Sequence, residues 1–280
     1  MKSKAIVGMF LAAVFIGQGL GESSYAQRGE PSIGAEVSAG RLELIVPAYF
    51  YPGSEDTYWA ALSSAAQQVP LTAILNPASG PGVSADSNYL RVTNDLRAAG
   101  GRVIGYIHTS YGNRPLTQVQ ADINRYLSLY PDIDGFFVDE MSNQNDSTSL
   151  TYYANLYGYI KAMNSDFRVV GNPGTNTAAQ YLSLPAADAV INFESAKQTY
   201  NQYEVFEWVY DVPAEQFGHL VYKSRDAKAM RNVIKKAIRR NAGMVYVTND
   251  KLNNPWDSLP FYWNEQVNCV KLINEGARSC

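Results

Sequence analysis

Asp134-Gly135-Phe136-Phe137-Val138-Asp139-Glu140 is an apolar run closed by two adjacent carboxylates. A parallel strand buried on both faces reads as a continuous apolar run and tolerates no charge in its middle. At its C-terminal end, charge is where barrels and open α/β sheets place their chemistry. The stretch predicts a buried parallel strand leading into an acid/base site. Seven further short runs rich in Val, Ile, Tyr and Phe repeat this pattern at 42–48, 71–75, 102–108, 168–171, 188–194, 219–223 and 243–248.

Segments with helical periodicity lie between these runs, at 57–67, 86–99, 115–129, 148–163 and 225–241. In the last of these, Met230, Val233, Ile234, Ala237 and Ile238 recur at helical spacing. Ser224 is read as its cap and Gly243 as its stop. Its Lys235, Lys236, Arg239 and Arg240 read as a solvated face rather than a polyanion site. Eight strands alternating with about as many helices over this length predict an α/β fold, a single (β/α)8 TIM-type barrel spanning 42–280. The rival is a doubly wound open sheet, but no G-x-G-x-x-G or Walker sequence follows any strand.

The ends of the chain bound its setting. Lys2 and Lys4 precede an apolar stretch from Ala5 to Ile16, and Ser24-Tyr25-Ala26-Gln27 follows. This is the pattern of a secretory signal peptide over 1–26, so a secreted or periplasmic protein with no membrane attachment after cleavage is expected. Residues 27–41 read as a flexible linker. Removing 1–26 takes Lys2, Lys4 and Glu22 from 23 basic and 26 acidic residues and leaves a net charge of −4. That balance argues against nucleic acid and anionic membranes as partners. Cys269 and Cys280 can close a small loop in an oxidising compartment. Two Cys and two His far apart give no zinc-site spacing, and neither a cofactor nor a metal is expected. The chain is expected to be a monomer.

The strand ends gather Tyr49, Tyr51, Asn76, His108, Tyr111, Asn172, Asn192, Lys223 and Thr248 beside Asp139, Glu140 and Glu194. Amides, aromatics and carboxylates on one rim suit a polysaccharide better than a phosphate or a metal. Alternation along strand 6 puts Val190, Asn192 and Glu194 on one face and Ala189, Ile191 and Phe193 on the other, with the wholly apolar set toward the helices. Glu194 then points into the mouth. Asp139 and Glu140 cannot both point inward from a regular strand, so one leaves the axis or a bulge re-aims it. Two carboxylates can flank a glycosidic bond, one protonating the leaving oxygen while the other attacks or activates water. The same residues in a barrel without catalysis would make a sugar-binding protein of a matrix or spore coat.

The chain resembles the spherulation-specific, spherulin-four-like family in several stretches. They are Ile45-Val46-Pro47-Ala48-Tyr49-Phe50-Tyr51-Pro52, Ile74-Leu75-Asn76-Pro77, Val103 through Gly112, Ile133 through Glu140, Gly171-Asn172-Pro173-Gly174 and Asn192-Phe193-Glu194. The resemblance implies a (β/α)8 endo-acting glycoside hydrolase cleaving α-1,4-linked N-acetylgalactosamine in galactosaminogalactan, a microbial exopolysaccharide of biofilms. It implies that Asp139, Glu140 and Glu194 are its acidic residues. Asp139 is read as nucleophile or stabilising carboxylate, Glu194 as acid/base and Glu140 as a tuning or positioning group. A preference for deacetylated polymer stays open, as does retention against inversion.

Overall fold

A computed structural model of the chain describes residues 41–53 and 57–280. The expected signal peptide and most of the expected linker fall outside these residues. Eight parallel strands close into a barrel in sequence order. They are β1 Glu43–Ala48, β2 Leu71–Leu75, β3 Arg102–His108, β4 Gly135–Asp139, β5 Arg168–Gly171, β6 Ala189–Ala196, β7 Phe217–Tyr222 and β8 Met244–Val247. Pairing of β1 with β8 shuts the ring. The barrel is the fold the alternation predicted, and all eight strand assignments hold within two residues at each end.

The helices are α1 Thr57–Ala66, α2 Ser87–Ala98, α3 Leu116–Leu129, α4 Ser147–Met163, α5 Gln180–Ser183, α6 Lys197–Tyr200, α7 Ala227–Arg239 and α8 Trp263–Asn274. Two boundary readings need correction. Asp226, not Ser224, caps α7 by accepting the Ala229 amide; Ser224 is buried and its carbonyl accepts the Tyr262 hydroxyl. The left-handed residue after α7 is Asn241, at φ 57°, rather than Gly243. Asn tolerates that conformation better than other side chains do. The basic face of α7 is partly engaged, because the Arg240 guanidinium stacks 4.5 Å from the Tyr200 ring centroid.

The barrel floor holds an ion pair. Arg168 of β5 donates from Nη1 to both carboxyl oxygens of Glu43, at 2.8 Å each, and Thr72 of β2 donates to the same carboxylate. Strands β1 and β5 are opposite each other in an eight-strand ring, so the pair crosses the interior and identifies the inward face of each strand. Gly135 opens β4 at φ +146°, and a Cβ there would lie 2.0 Å from the Arg168 carbonyl. A glycine is therefore required where β4 enters alongside β5.

Among the described residues no helix is long and apolar enough to cross a membrane. Cys269, buried on α8, is bonded to Cys280. This bridge ties down the end of the chain rather than bracing the core. Closing so short a loop contributes no more than about 3 kcal/mol. Cys280→Ser is therefore expected to lower thermal stability modestly, and reductant should bring the wild type down to the variant's melting temperature.

Candidate active site

The C-terminal mouth of the barrel is organised around Asn172, which follows β5. Its amide Nδ2 lies 2.7 Å from Asp139 Oδ1 and 2.6 Å from Glu194 Oε2, so one NH2 group places its two protons on two carboxylates. Its backbone is equally fixed. The Asn172 N–H donates to Val138 O at 2.8 Å, and its carbonyl accepts the Met141 N–H at 3.0 Å. Asp139, on the last residue of β4, also accepts the Tyr106 hydroxyl of β3 at 2.7 Å. Tyr49 packs edge-on against Tyr106, at 5.7 Å between centroids. Trp256, from the loop after β8, lies beside Glu194, where its indole N–H favours the ionised carboxylate, and packs against Tyr222 and Tyr246.

Burial raises both carboxyls. Asp139 takes hydrogen bonds from the Tyr106 hydroxyl, the Glu140 backbone N–H and the Asn172 amide, which favour its ionised form. Glu194 has two such donors, Asn172 and Trp256. Burial and the charge of Asp139 push Glu194 up to about 7. The two carboxyls titrate as an interacting pair, and the charge of Asp139 favours the protonated form of Glu194.

A bulge aims Glu194 into the mouth. The β6–β7 register runs Ile191 to Gly218 and then Phe193 to His219, leaving Asn192 as the extra residue. Gly218 pairs with Met244, whose sulfur touches Arg168 on the barrel floor. A Cβ on Gly218 would lie 2.5 Å from Ile191 Cδ1, so Ile191 faces the interior. Phe193 instead packs against Tyr200, Tyr203 and His219. The simple alternation expected for β6 is thus wrong at Ile191, although its conclusion for Glu194 holds. The bulge has a local cause: the Gly174 N–H donates to Ile191 O and the Gly174 carbonyl accepts the Glu194 N–H, clamping the loop after β5 across it.

Glu140 resolves the conflict of two adjacent carboxylates differently. It adopts φ 50°, a left-handed turn that ends β4 and swings its side chain toward β3. Its carbonyl accepts the Tyr111 N–H at 2.7 Å and the Thr109 hydroxyl at 2.8 Å, which holds the turn in place. Its carboxylate lies 3.5 Å from His108 Nδ1. Hydrogen bonding to His108, helped by Ser110, keeps this carboxyl below its usual range. Ser110, Tyr111 and Lys223 also have positive φ, at 49°, 57° and 58°. Strained non-glycine backbone therefore gathers on this rim, as it does at functional sites.

The other residues read from the sequence divide into two groups. Tyr51, Tyr111 and Lys223 are exposed on the rim, and Asn76 uses its carbonyl to hold the Gly80 amide. Asn192 and Thr248 are buried. Asn192 is the extra residue of the bulge, and the Thr248 hydroxyl accepts the Asp250 N–H. Tyr106 and Trp256 were not among the expected site residues. Tyr106 carried a signal, since it shares the inward face of β3 with His108. Trp256 lies in an Asn/Pro-rich loop with no periodicity to place it. Among the described residues no cluster of three or more His, Cys, Asp and Glu side chains is arranged to hold a metal ion.

Comparison with known proteins agrees with this architecture. Over 249 residues the chain is 34% identical to spherulin-4 of Physarum polycephalum, covering 85% of this chain and 73% of that one. The crystal structure of Aspergillus clavatus Sph3 in complex with GalNAc superposes with a TM-score of 0.72 at 26% identity, covering 83% of this chain and 98% of that one. The cyclic α-maltosyl-(1→6)-maltose hydrolase of Arthrobacter globiformis matches at a TM-score of 0.53 and 10% identity, covering 85% and 82% of the two chains, a likeness of fold alone. The profile of spherulation-specific family 4 matches residues 43–270, from the first strand into the last helix, and the chain belongs to that family.

Proposed function

We propose that the chain is a secreted endo-acting glycoside hydrolase that cleaves α-1,4-linked N-acetylgalactosamine in a galactosaminogalactan-type polysaccharide with retention of configuration. The observation that carries this reading is the pair of buried carboxylates, Asp139 and Glu194, bridged by the Asn172 amide. Because one nitrogen contacts both, their nearest oxygens are no farther apart than 2.7 Å and 2.6 Å laid end to end. Carboxyl groups bridged this closely favour the ~5–5.5 Å spacing of retaining enzymes over the ~6.5–9.5 Å of inverting ones. The Sph3 structure, solved with GalNAc, supports the choice of sugar.

In this reading Glu194 gives its proton to the glycosidic oxygen as the bond to the anomeric carbon breaks. Asp139, anionic and oriented by Tyr106, attacks that carbon and forms a glycosyl ester. Glu194, now ionised, takes a proton from water, which attacks the same carbon and releases Asp139. Glu140 stays charged beside the pair and holds the Asp139–Glu194 field in place without exchanging protons at neutral pH. A permanently ionised carboxylate on the rim also favours a free amine, so the deacetylated polymer belongs in the test.

Purified protein incubated with galactosaminogalactan should generate new reducing ends, and NMR of the first product should show the α-anomer. The absence of product from both the acetylated and the deacetylated polymer would overturn the assignment. The pH profile follows from the pair. Glu194 must carry a proton, so kcat/KM should fall tenfold per pH unit above about 7. Asp139 must be ionised, and because burial raises it, the acid limb should lie above the ordinary Asp value of about 3.9. A rate that keeps rising above pH 8 would rule out Glu194 as the acid.

A further inference from the structure

We propose that Tyr51 is a pre-set stacking platform for a sugar unit of the polymer away from the cleavage point, an inference that rests on the polysaccharide reading above. Tyr51 follows β1 by three residues and reaches the N-terminal end of α2, so it lies on the same face of the barrel as the carboxylates. Strand β1 is three strands from both β4 and β6, which puts Tyr51 across the mouth from Asn172. The residue is 59% exposed, a large aromatic side chain left in water.

That exposed ring is nevertheless held at both ends. The Tyr51 hydroxyl donates to Asp86 Oδ2 at 3.0 Å and accepts the Asn88 Nδ2 amide at 2.8 Å. Its ring sits edge-on to Tyr89, 5.6 Å between centroids and 87° between planes. Asp86 is itself fixed, since Oδ1 caps α2 on the Asn88 N–H and its own amide donates to the Tyr130 hydroxyl. Behind the ring, Arg91 donates to the Gly53 carbonyl at 3.1 Å and pins the loop. An exposed aromatic tied down in this way loses little freedom when a flat, apolar sugar face settles on it. A tether between two loops would need the hydroxyl alone and would gain nothing from the exposed ring. Tyr111, held out in a left-handed turn, stands nearer the reacting groups, because Glu140, Asp139 and Glu194 all act on its hydroxyl. Two exposed tyrosines on one rim, one near the reacting groups and one away from them, suit internal cleavage of a chain.

The test uses the full chain silenced by Glu194→Gln, so that binding is read without turnover. Affinity for galactosaminogalactan is measured with Tyr51 intact, with Tyr51→Ala and with Tyr51→Phe. The alanine variant should bind the polymer about tenfold more weakly. The phenylalanine variant keeps the ring and loses both hydrogen bonds, and it should stay within about threefold of the parent. Equal losses in the two variants would show that Tyr51 is only a latch between loops, and no loss in either would show that no sugar rests there. Both outcomes overturn the proposal. If wild-type protein cleaves the polymer while Tyr51→Ala binds normally, the platform fails and the enzyme reading survives. If the silenced chain does not bind at all and wild type makes no reducing ends, both fail.

Discussion

Glu194→Gln and Asp139→Asn are each expected to lower kcat by about 10³-fold or more on galactosaminogalactan while leaving the barrel folded. A positioned general acid contributes typically 10²–10⁴-fold, and loss of the covalent nucleophile removes the pathway altogether. Both substitutions are nearly isosteric and keep partners for Asn172 and Tyr106, so the packing has no cause to collapse. Stability should move the other way for Glu194. Its pKa is raised in the fold, so the native state binds more protons than the unfolded chain between the ordinary Glu value and about 7, and stability falls as pH rises through that window. Gln carries no such group, and the variant should melt at or above the wild-type temperature at pH 8. The two variants should differ in chemistry. A small nucleophile such as azide should restore turnover to Asp139→Ala and give a glycosyl azide of inverted configuration, since it would enter where Asp139 attacked. Near-wild-type activity in either amide variant, measured by reducing ends, would remove that residue from the mechanism.

Glu140→Gln separates a charged neighbour from a reacting one. Its carboxylate sits against His108 rather than Asn172, and a partial loss of kcat with an altered pH profile is the behaviour expected of a positioning residue.

The fold was legible because barrel strands buried on both faces leave a signal that local sequence carries: apolar runs of four to seven residues, most of them closed by polar groups. Phe136, Phe137 and Val138 are buried in the structure as the run implied. The convergence of Asp139, Asn172 and Glu194 was also legible, since all three follow or end strands of a barrel whose chemistry collects at that face. The bulge at Asn192 was not. It arises from hydrogen bonds between Gly174 and β6, a contact between neighbouring loops that no periodicity within β6 encodes. For the same reason the alternation rule misplaced Ile191. The turn at Glu140 shows the limit from the other side. Two adjacent acids announced that the strand could not stay regular, but the left-handed φ that resolves the conflict depends on Tyr111 and Thr109, which reach it from β3. Trp256 sits in a loop whose path is set by its packing against Tyr222 and Tyr246, and nothing in its own neighbourhood places it over Glu194.

Arg168→Met should be the most destabilising single change at the opposite end of the barrel. It removes the guanidinium that contacts both oxygens of Glu43 and leaves a buried carboxylate with the Thr72 hydroxyl. Breaking one side of a buried pair costs about 3–5 kcal/mol, because the remaining charge stays out of water without its partner. For a domain of this size that corresponds to a fall in melting temperature of roughly 6–20 °C. The double variant Glu43→Leu/Arg168→Met removes both charges and fills the floor with apolar atoms, and it should recover most of the loss, since such exchanges are often neutral or stabilising. A double variant as unstable as Arg168→Met alone would mean that the shape of the network, including the contact of Arg168 with the Met244 sulfur, matters more than charge compensation. In either case kcat measured well below the melting temperature should stay close to wild type. The ion pair closes the N-terminal end of the barrel, whereas Asp139, Asn172 and Glu194 belong to the C-terminal ends of their strands, with apolar side chains such as Ile45, Ile74 and Val170 buried between them.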